Sequence, residues 1–311
     1  MLDGTKRLTG SGGGPVRISE LAKFVSLAIS IVMATVGLGA EVTLDVEHQA
    51  RSVHPGEVII LEVRSSEPVL GVRASVFSAD VRFFSDSHHV VWRGVLGIDL
   101  EARPDDYLVE IQATLDDGNT VRTVYPLAVQ AKEFPTRHLS VAPSFVNPPS
   151  EVLTRIRREA ERQNEIFQTS SDERQWSGGF LRPVSGDSTS SFGRRSVFNG
   201  EARSPHSGTD FRAGEGTPIM APNAGIVVLA GELYFSGNAV ILDHGWGLYS
   251  YFAHLSSFDV VEGEQVERGQ VVGKVGATGR VTGPHLHWTV RLNNARVDPL
   301  SLMALFPSDE L

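Results

Sequence analysis

A mainly β protein, built as two β units joined by a helical connector, is the fold class this sequence predicts. Three observations predict it. Apolar and polar residues alternate with period two through much of residues 41–132, the signature of half-buried strands. Prolines then cluster at Pro135, Pro143, Pro148 and Pro149, followed by a stretch of helical spacing. From Phe180 onward short strand-like runs return, broken by frequent glycine turns, as in a compact antiparallel β domain. At 311 residues the chain is long enough to bury more than one hydrophobic core.

Residues 1–40 read as a targeting segment. Lys6, Arg7, Arg17 and Lys23 precede an uncharged, largely apolar run from Phe24 to Ala40, which closes on Gly37, Gly39 and Ala40 before Glu41. A basic flank, an apolar run and a small-residue end are the three parts of a secretory signal, and they predict export to the periplasm or cell envelope. Leu38 at the third position before a cut after Ala40 departs from the A-x-A pattern. The other reading is an uncleaved anchor formed by residues 24–40, and contact with a membrane is expected only through this segment.

Residues 41–132 carry the first β unit. Val42, Leu44 and Val46 alternate with polar residues, and similar runs follow at Val58–Val63, Val69–Phe77, Val90–Leu100, Tyr107–Leu115 and Thr120–Val129. Asp116-Asp117-Gly118-Asn119 supplies a hairpin turn, because Gly and Asn accept positive φ. Roughly seven strands in about ninety residues suggest an Ig-like β-sandwich. The adjacent His88 and His89 read as exposed loop histidines rather than a metal site.

Residues 133–179 form the connector. Ser150 is placed to cap a helix in which Val152, Leu153, Ile156, Ala160, Ile166 and Phe167 lie near helical spacing. The opposite face alternates Arg155, Arg157, Arg158 and Arg162 with Glu159 and Glu161, a solvated face with i,i+4 pairing. Gly178-Gly179 ends a polar second connector before the unit at 180–305.

Composition narrows the chemistry. The formal charge of -9 argues against nucleic acid, whose binding needs a concentrated basic surface. With no cysteine there is no disulfide, thiol nucleophile or Cys-type zinc site, so a zinc site must use His, Asp or Glu. Five of the ten histidines fall between His206 and His287. His206 and Asp210 form an H-x-x-x-D spacing whose Pro205 and Gly208 oppose a helix; in extended chain, positions four apart share a face. His285 and His287 flank Leu286 ahead of a strand-like Trp288-Thr289-Val290, so both imidazoles face one side. His254 ends an aromatic run, Tyr251-Phe252-Ala253, and His244 sits in a turn-like Asp243-His244-Gly245; taken alone, each reads as structural. A phosphate loop and an H-E-x-x-H helix are both absent.

The set of H-x-x-x-D, a single His in Phe252-Ala253-His254-Leu255, and Thr282-Gly283-Pro284-His285-Leu286-His287 resembles the lysostaphin/LytM-type zinc metallopeptidases. Phe192-Gly193 with Arg194 and Arg195, Gly214–Ile219, Gly225-Ile226-Val227 and Gly237-Asn238 support the likeness, which covers about Phe180 to Leu302. The upstream unit resembles modules attached to some of these peptidases far more weakly. The resemblance implies a C-terminal antiparallel β LytM-type peptidase domain that hydrolyses peptide bonds of peptidoglycan. It implies one zinc ion per chain held by His206, Asp210 and His287, with His254 and His285 catalytic but not primary ligands. Three protein ligands leave zinc an open position, as catalytic sites require. Two free imidazoles would then handle protons and stabilise an oxyanion.

Two other readings are open. A catalytically silent LytM-like regulator of cell-wall amidases is disfavoured because no member of the motif set is missing. A biotinyl- or lipoyl-type carrier would draw on the paired turns of Val260–Val271. Its modifiable lysine would have to be Lys274, the only lysine after Lys132, which lacks the flanking residues such domains show.

Overall fold

The structure, a computed structural model, describes residues 42–140, 148–189 and 192–307. The segment read as a signal or anchor lies outside the described residues. Among the described residues no helix is long and apolar enough to cross a membrane.

Seven antiparallel strands come first: β1 (Leu44–Ala50), β2 (Val58–Ser65), β3 (Gly71–Val76), β4 (Ala79–Ser85), β5 (Val91–Gly97), β6 (Asp105–Thr114) and β7 (Thr120–Val129). They pair in the order β1-β2-β5-β4-β3-β6-β7. Alternation decides which side of each strand is covered. In β6, Val109, Ile111 and Ala113 are buried against Ile59, Leu61 and Leu127, while Leu108 and Glu110 face outward. The expected 116–119 turn is present, with Gly118 at φ +81° and its N–H on the Leu115 carbonyl. One strand has no turn signal in the sequence. β4 is split from β3 by Phe77 and Ser78, both at positive φ (54° and 60°), a conformation usually left to Gly, Asn or Asp.

The connector holds a 3-10 turn at Ser150–Val152 and then α1 (Leu153–Gln168). The expected cap is corrected here. Val152 occupies the N-cap position without a side-chain hydrogen bond, because Ser150 lies inside the preceding 3-10 turn. The charged face is only partly solvated. Arg155 pairs with Glu159 (2.6 Å), Arg162 reaches Glu262 (2.7 Å), and Glu159 accepts the Tyr234 N–H (2.8 Å). Phe167 is buried edge-on against Tyr249 (5.6 Å), so α1 docks on the sheet that follows.

The remaining strands are β8 (Thr136–Leu139), β9 (Arg195–Phe198), β10 (Glu201–Ala202), β11 (Thr209–Phe211), β12 (Pro218–Met220), β13 (Gly225–Leu233), β14 (Gly237–Asp243), β15 (Leu248–Phe258), β16 (Gln265–Val266), β17 (Val271–Val275), β18 (Leu286–Leu292) and β19 (Ala295–Val297). A short helix, α2 (Pro299–Leu305), ends the described chain. β8, β9 and β10 form a small sheet in which β8 and β9 run parallel. The other nine strands make an antiparallel sheet with the path β11-β18-β15-β14-β13-β16. Its core packs Phe211, Phe252, Trp288 and Leu286 with Phe180 and with Trp176 from the second connector.

The two large sheets share surface. β2 reads Val-Ile-Ile-Leu without alternation and all four residues are buried, because Val58 joins the core of the nine-stranded sheet while Ile59 and Leu61 serve the first. Around that contact Val58 N–H donates to Ser301 Oγ (2.9 Å), and Asp298 N–H donates to the Gly56 carbonyl (2.7 Å). Arg51 bridges buried Glu57 (2.8 Å) and Asp298 (2.7 Å), and Arg296 makes a two-pronged bond to Asp99 (2.6 and 3.0 Å). Arg174 lies over Phe84, Trp176 and Trp246, at 4.3, 4.9 and 5.5 Å from their ring centres.

Candidate metal centre

Strand register assembles the site. Asp210 on β11 pairs with His287 on β18, and His287 pairs with Ala253 on β15, so the three lie in one row across neighbouring strands. Residues in such a row point to the same face. His206 reaches that face from the extended segment before β11, where His206 N–H donates to the Arg194 carbonyl (3.0 Å). Gly208 allows the approach, since a Cβ there would stand 2.5 Å from the Trp288 carbonyl oxygen and 2.8 Å from His287 Cε1.

His254 arrives by a different device. Strict alternation would give this face to Ala253 and send His254 to the other side. Ala253 and His254 instead oppose one residue of β14, as the register shifts between Asn238–Leu255 and Val240–Phe252. This bulge puts His254 at φ +69° and turns its ring toward the site. A non-glycine residue held in that region is the kind of strain that marks functional positions.

The donor atoms converge. His287 Nδ1 lies 2.9 Å from Asp210 Oδ1 and 2.9 Å from His206 Nε2, and His206 Nε2 lies 3.1 Å from Asp210 Oδ1. Tetrahedral zinc with bonds of about 2.0–2.1 Å separates its donors by about 3.3 Å, so the three atoms match one ion closely. Two imidazoles with one carboxylate oxygen favour zinc over calcium or magnesium, which take oxygen donors. His287 Nε2 is occupied by the Thr289 hydroxyl (2.9 Å), leaving Nδ1 for the cluster. Among the described residues this trio is the one His/Asp/Glu group close enough to hold a metal.

The other two histidines stand beside it. The His254 ring centre is 5.1 Å from that of His285 and 6.0 Å from that of His287, while His285 Nε2 is 3.8 Å from Asp210 Oδ1. Their tautomers follow from acceptors that cannot donate. His254 Nδ1–H donates to the Thr278 carbonyl and His285 Nδ1–H to the Gly283 carbonyl, both at 2.9 Å. Each ring therefore turns its Nε2 away from its carbonyl, and in the neutral imidazole that nitrogen is the proton acceptor.

Burial and neighbouring charges set the electrostatics of the cluster. Burial alone would raise the Asp210 carboxyl, but facing His206 and His287 hold it far below the usual carboxylate range. Burial lowers the His287 imidazole. Burial, then the neighbouring His287, lowers His254 to about 4, so that ring is neutral across the physiological range. His244, read as structural, is fully buried: Nδ1–H donates to the Ala224 carbonyl (2.7 Å) and Nε2 meets Ser250 Oγ (2.9 Å).

All five predicted residues thus meet in one place. The supporting groups were not read from the sequence. Thr289 could have been, since it follows His287 by two residues on the same strand face. Thr278, which orients His254 through its carbonyl, has no side-chain signal.

Two histidines and an aspartate converging on an antiparallel β scaffold define a candidate metal-binding class of protein, and comparison with known proteins gives it a family. Residues 204–299 match the sequence model of Peptidase family M23. A solved M23 protein from Pseudomonas aeruginosa is 36% identical, with a TM-score of 0.65, covering 82% of this chain and 96% of that one. The chain belongs to peptidase family M23. The DD-carboxypeptidase/endopeptidase Mpg of Neisseria meningitidis serogroup B is 43% identical over 106 residues, 34% of this chain and 24% of Mpg. The peptidoglycan DD-endopeptidase ShyA of Vibrio cholerae is 41% identical over 96 residues, 31% of this chain and 22% of ShyA. The match thus spans less than a quarter of the length of these curated relatives.

Proposed function

We propose that this chain is an exported, zinc-dependent endopeptidase that hydrolyses peptide bonds in peptidoglycan stem peptides or cross-links during cell-wall remodelling. The observation that carries it is the convergence of His206 Nε2, Asp210 Oδ1 and His287 Nδ1 within 3.1 Å, beside two imidazoles whose Nδ1–H groups are held by backbone carbonyls. The names of Mpg and ShyA, both endopeptidases, support the reaction class, and ShyA supports peptidoglycan as substrate. His206, Asp210 and His287 are the proposed ligands, and residues 180–305 the proposed peptidase domain. Residues 41–132 are its β module and 133–179 the connector.

Bound zinc would supply Lewis-acid polarisation of the scissile carbonyl and lower the pKa of a water. The chain's own residues do the remaining work. His285, two residues from the ligand His287 and 3.8 Å from Asp210, is the group placed to accept a proton from the attacking water. His254, neutral and clamped by Thr278, is a second acceptor able to hold a proton for the departing amine. Both Nδ1–H bonds end on carbonyls, so both rings keep their orientation through proton transfer.

Metal analysis and digestion of purified sacculi, with mass spectrometry of new amine termini, test the reading. His287→Ala should lose zinc and hydrolysis together, whereas His285→Ala should keep most of its zinc and lose hydrolysis. Unchanged zinc in His287→Ala would remove the ligand assignment. Stoichiometric zinc without new amine termini would favour the non-catalytic regulator.

A further inference from the structure

Two of the three proposed ligands sit on backbone with little strand support of its own. β11 is three residues long and stands at the edge of the nine-stranded sheet, with β18 as its strand partner. His206 precedes β11 in extended chain. A metal site sets a narrow tolerance on such segments, since donor atoms must lie within about 0.2 Å of bonding distance.

Alternation sends Asp210 to the site and its neighbour Thr209 to the core, where Thr209 is fully buried. There the Thr209 hydroxyl donates to Asp298 Oδ1 (3.1 Å). Asp298 is itself fixed from several sides. Its Oδ1 also accepts from Leu300 N–H at the start of α2 (3.0 Å), and its Oδ2 accepts from Arg51 (2.7 Å). The Asp298 N–H donates to the Gly56 carbonyl (2.7 Å). Arg51 and Gly56 both lie in the loop between β1 and β2, where two bonds lock Arg51 onto buried Glu57 (2.8 and 3.0 Å). A second contact leaves the same loop. Gly56 packs so closely on Phe192 that a Cβ there would stand 2.3 Å from Phe192 Cε1. The next residue, Gly193, donates its N–H to the His206 carbonyl (2.8 Å). One loop of the first β unit thus stands behind both Asp210 and His206.

We infer that this loop, residues 51–57, positions the metal ligands, with Thr209, Asp298 and Arg51 as positioning residues, so that the first β unit sets part of the zinc affinity of the centre. This rests on the ligand assignment above and gives the first unit a task at the site. Buried polar groups in a satisfied network hold one arrangement, and losing one partner frees the others to shift. Outer partners that bond a ligand directly contribute about ten- to a hundredfold in metal affinity. Thr209 acts on Asp210 through one peptide unit, which places its expected effect at the lower end.

The test measures the zinc dissociation constant of the full chain by competition with a chromophoric chelator, with cobalt(II) absorption as a second readout of ligand geometry. Thr209→Val keeps the branched shape without the hydroxyl and should weaken zinc about tenfold, whereas Thr209→Ser should recover most of the loss. Arg51→Met should weaken zinc in the same direction, and both weakened variants should alter the cobalt band. Arg174→Met is the control, because Arg174 also joins the two β units, at Phe84, Trp176 and Trp246, and should bind zinc as the parent does. Parent-like affinity in either Thr209→Val or Arg51→Met overturns the inference and leaves the ligand assignment intact. An equal loss in Arg174→Met also overturns it, since the effect would then follow from general weakening of the joint. A parent protein that binds no zinc would remove the ligand assignment and this inference with it.

Discussion

His244 should make the protein acid-sensitive, although it does no chemistry. Its ring is fully buried, packed edge-on to Phe180 at 5.7 Å, and bonded through both nitrogens. Burial, partly offset by the Ala224 carbonyl, lowers its pKa from the ordinary 6.5 to about 4. Between those values the unfolded chain binds a proton that the folded chain refuses, so stability is present above pH 6.5 and is lost as pH falls through 4. For a 2.5-unit separation the loss between pH 7 and pH 5 is about 2 kcal/mol. His254, also lowered to about 4, acts with the same sign, so the parent's total drop is larger. The comparison that isolates His244 is His244→Gln, which can donate to Ala224 and accept from Ser250 without titrating. Urea denaturation followed by tryptophan fluorescence should show the parent losing about 2 kcal/mol more than the variant between pH 7 and pH 5. Parallel pH dependences in the two proteins would refute the reasoning, whatever their absolute stabilities.

Other perturbations probe the joints of the fold. Arg51→Met should cost about 3 kcal/mol in urea unfolding, the low end for a broken buried pair, because Arg51 is 33% exposed while Glu57 is 1% exposed and would keep Lys132 as its one cation, with the Ser301 hydroxyl beside it. A loss below about 1 kcal/mol would mean Lys132 suffices. Gly237→Ala places a Cβ at φ +62°, 2.3 Å from Thr278 C and 2.5 Å from Gly279 N, so the Thr278 carbonyl must leave His254. Its kcat should fall by about ten- to a hundredfold with zinc content unchanged, and full activity would show that His254 needs no such clamp. Arg174→Met removes a cation shared by Phe84, Trp176 and Trp246, and should lower stability by about 1–2 kcal/mol with a change in tryptophan emission.

Much of the site was legible in the sequence because its members lie on short local patterns. H-x-x-x-D and H-x-H encode which residues share a strand face, and pairing β11 to β18 only has to align Asp210 with His287. His254 was legible only through the family likeness, since the bulge that turns it inward contains no glycine to announce it. The first sheet showed itself through alternation, except where β3 turns into β4 on Phe77 and Ser78 rather than on glycine or asparagine. The unbroken apolar run of β2 was visible as a strand, but not its second partner. That partner lies about 240 residues away, and one sequence contains no sign of such a distance.

The same span has a consequence for how the molecule is made. Arg51 in the segment after β1 meets Asp298, 247 positions later, and Asp298 Oδ1 accepts from Thr209, the neighbour of Asp210. A growing polypeptide can pair its first seven strands early, since those contacts are local in the chain. The short strand bearing Asp210 gains this anchor only once a residue 89 positions beyond Thr209 has joined the fold. Assembly of the His206–Asp210–His287 cluster therefore depends on contacts that are long in sequence, which close later than the local hairpins around them.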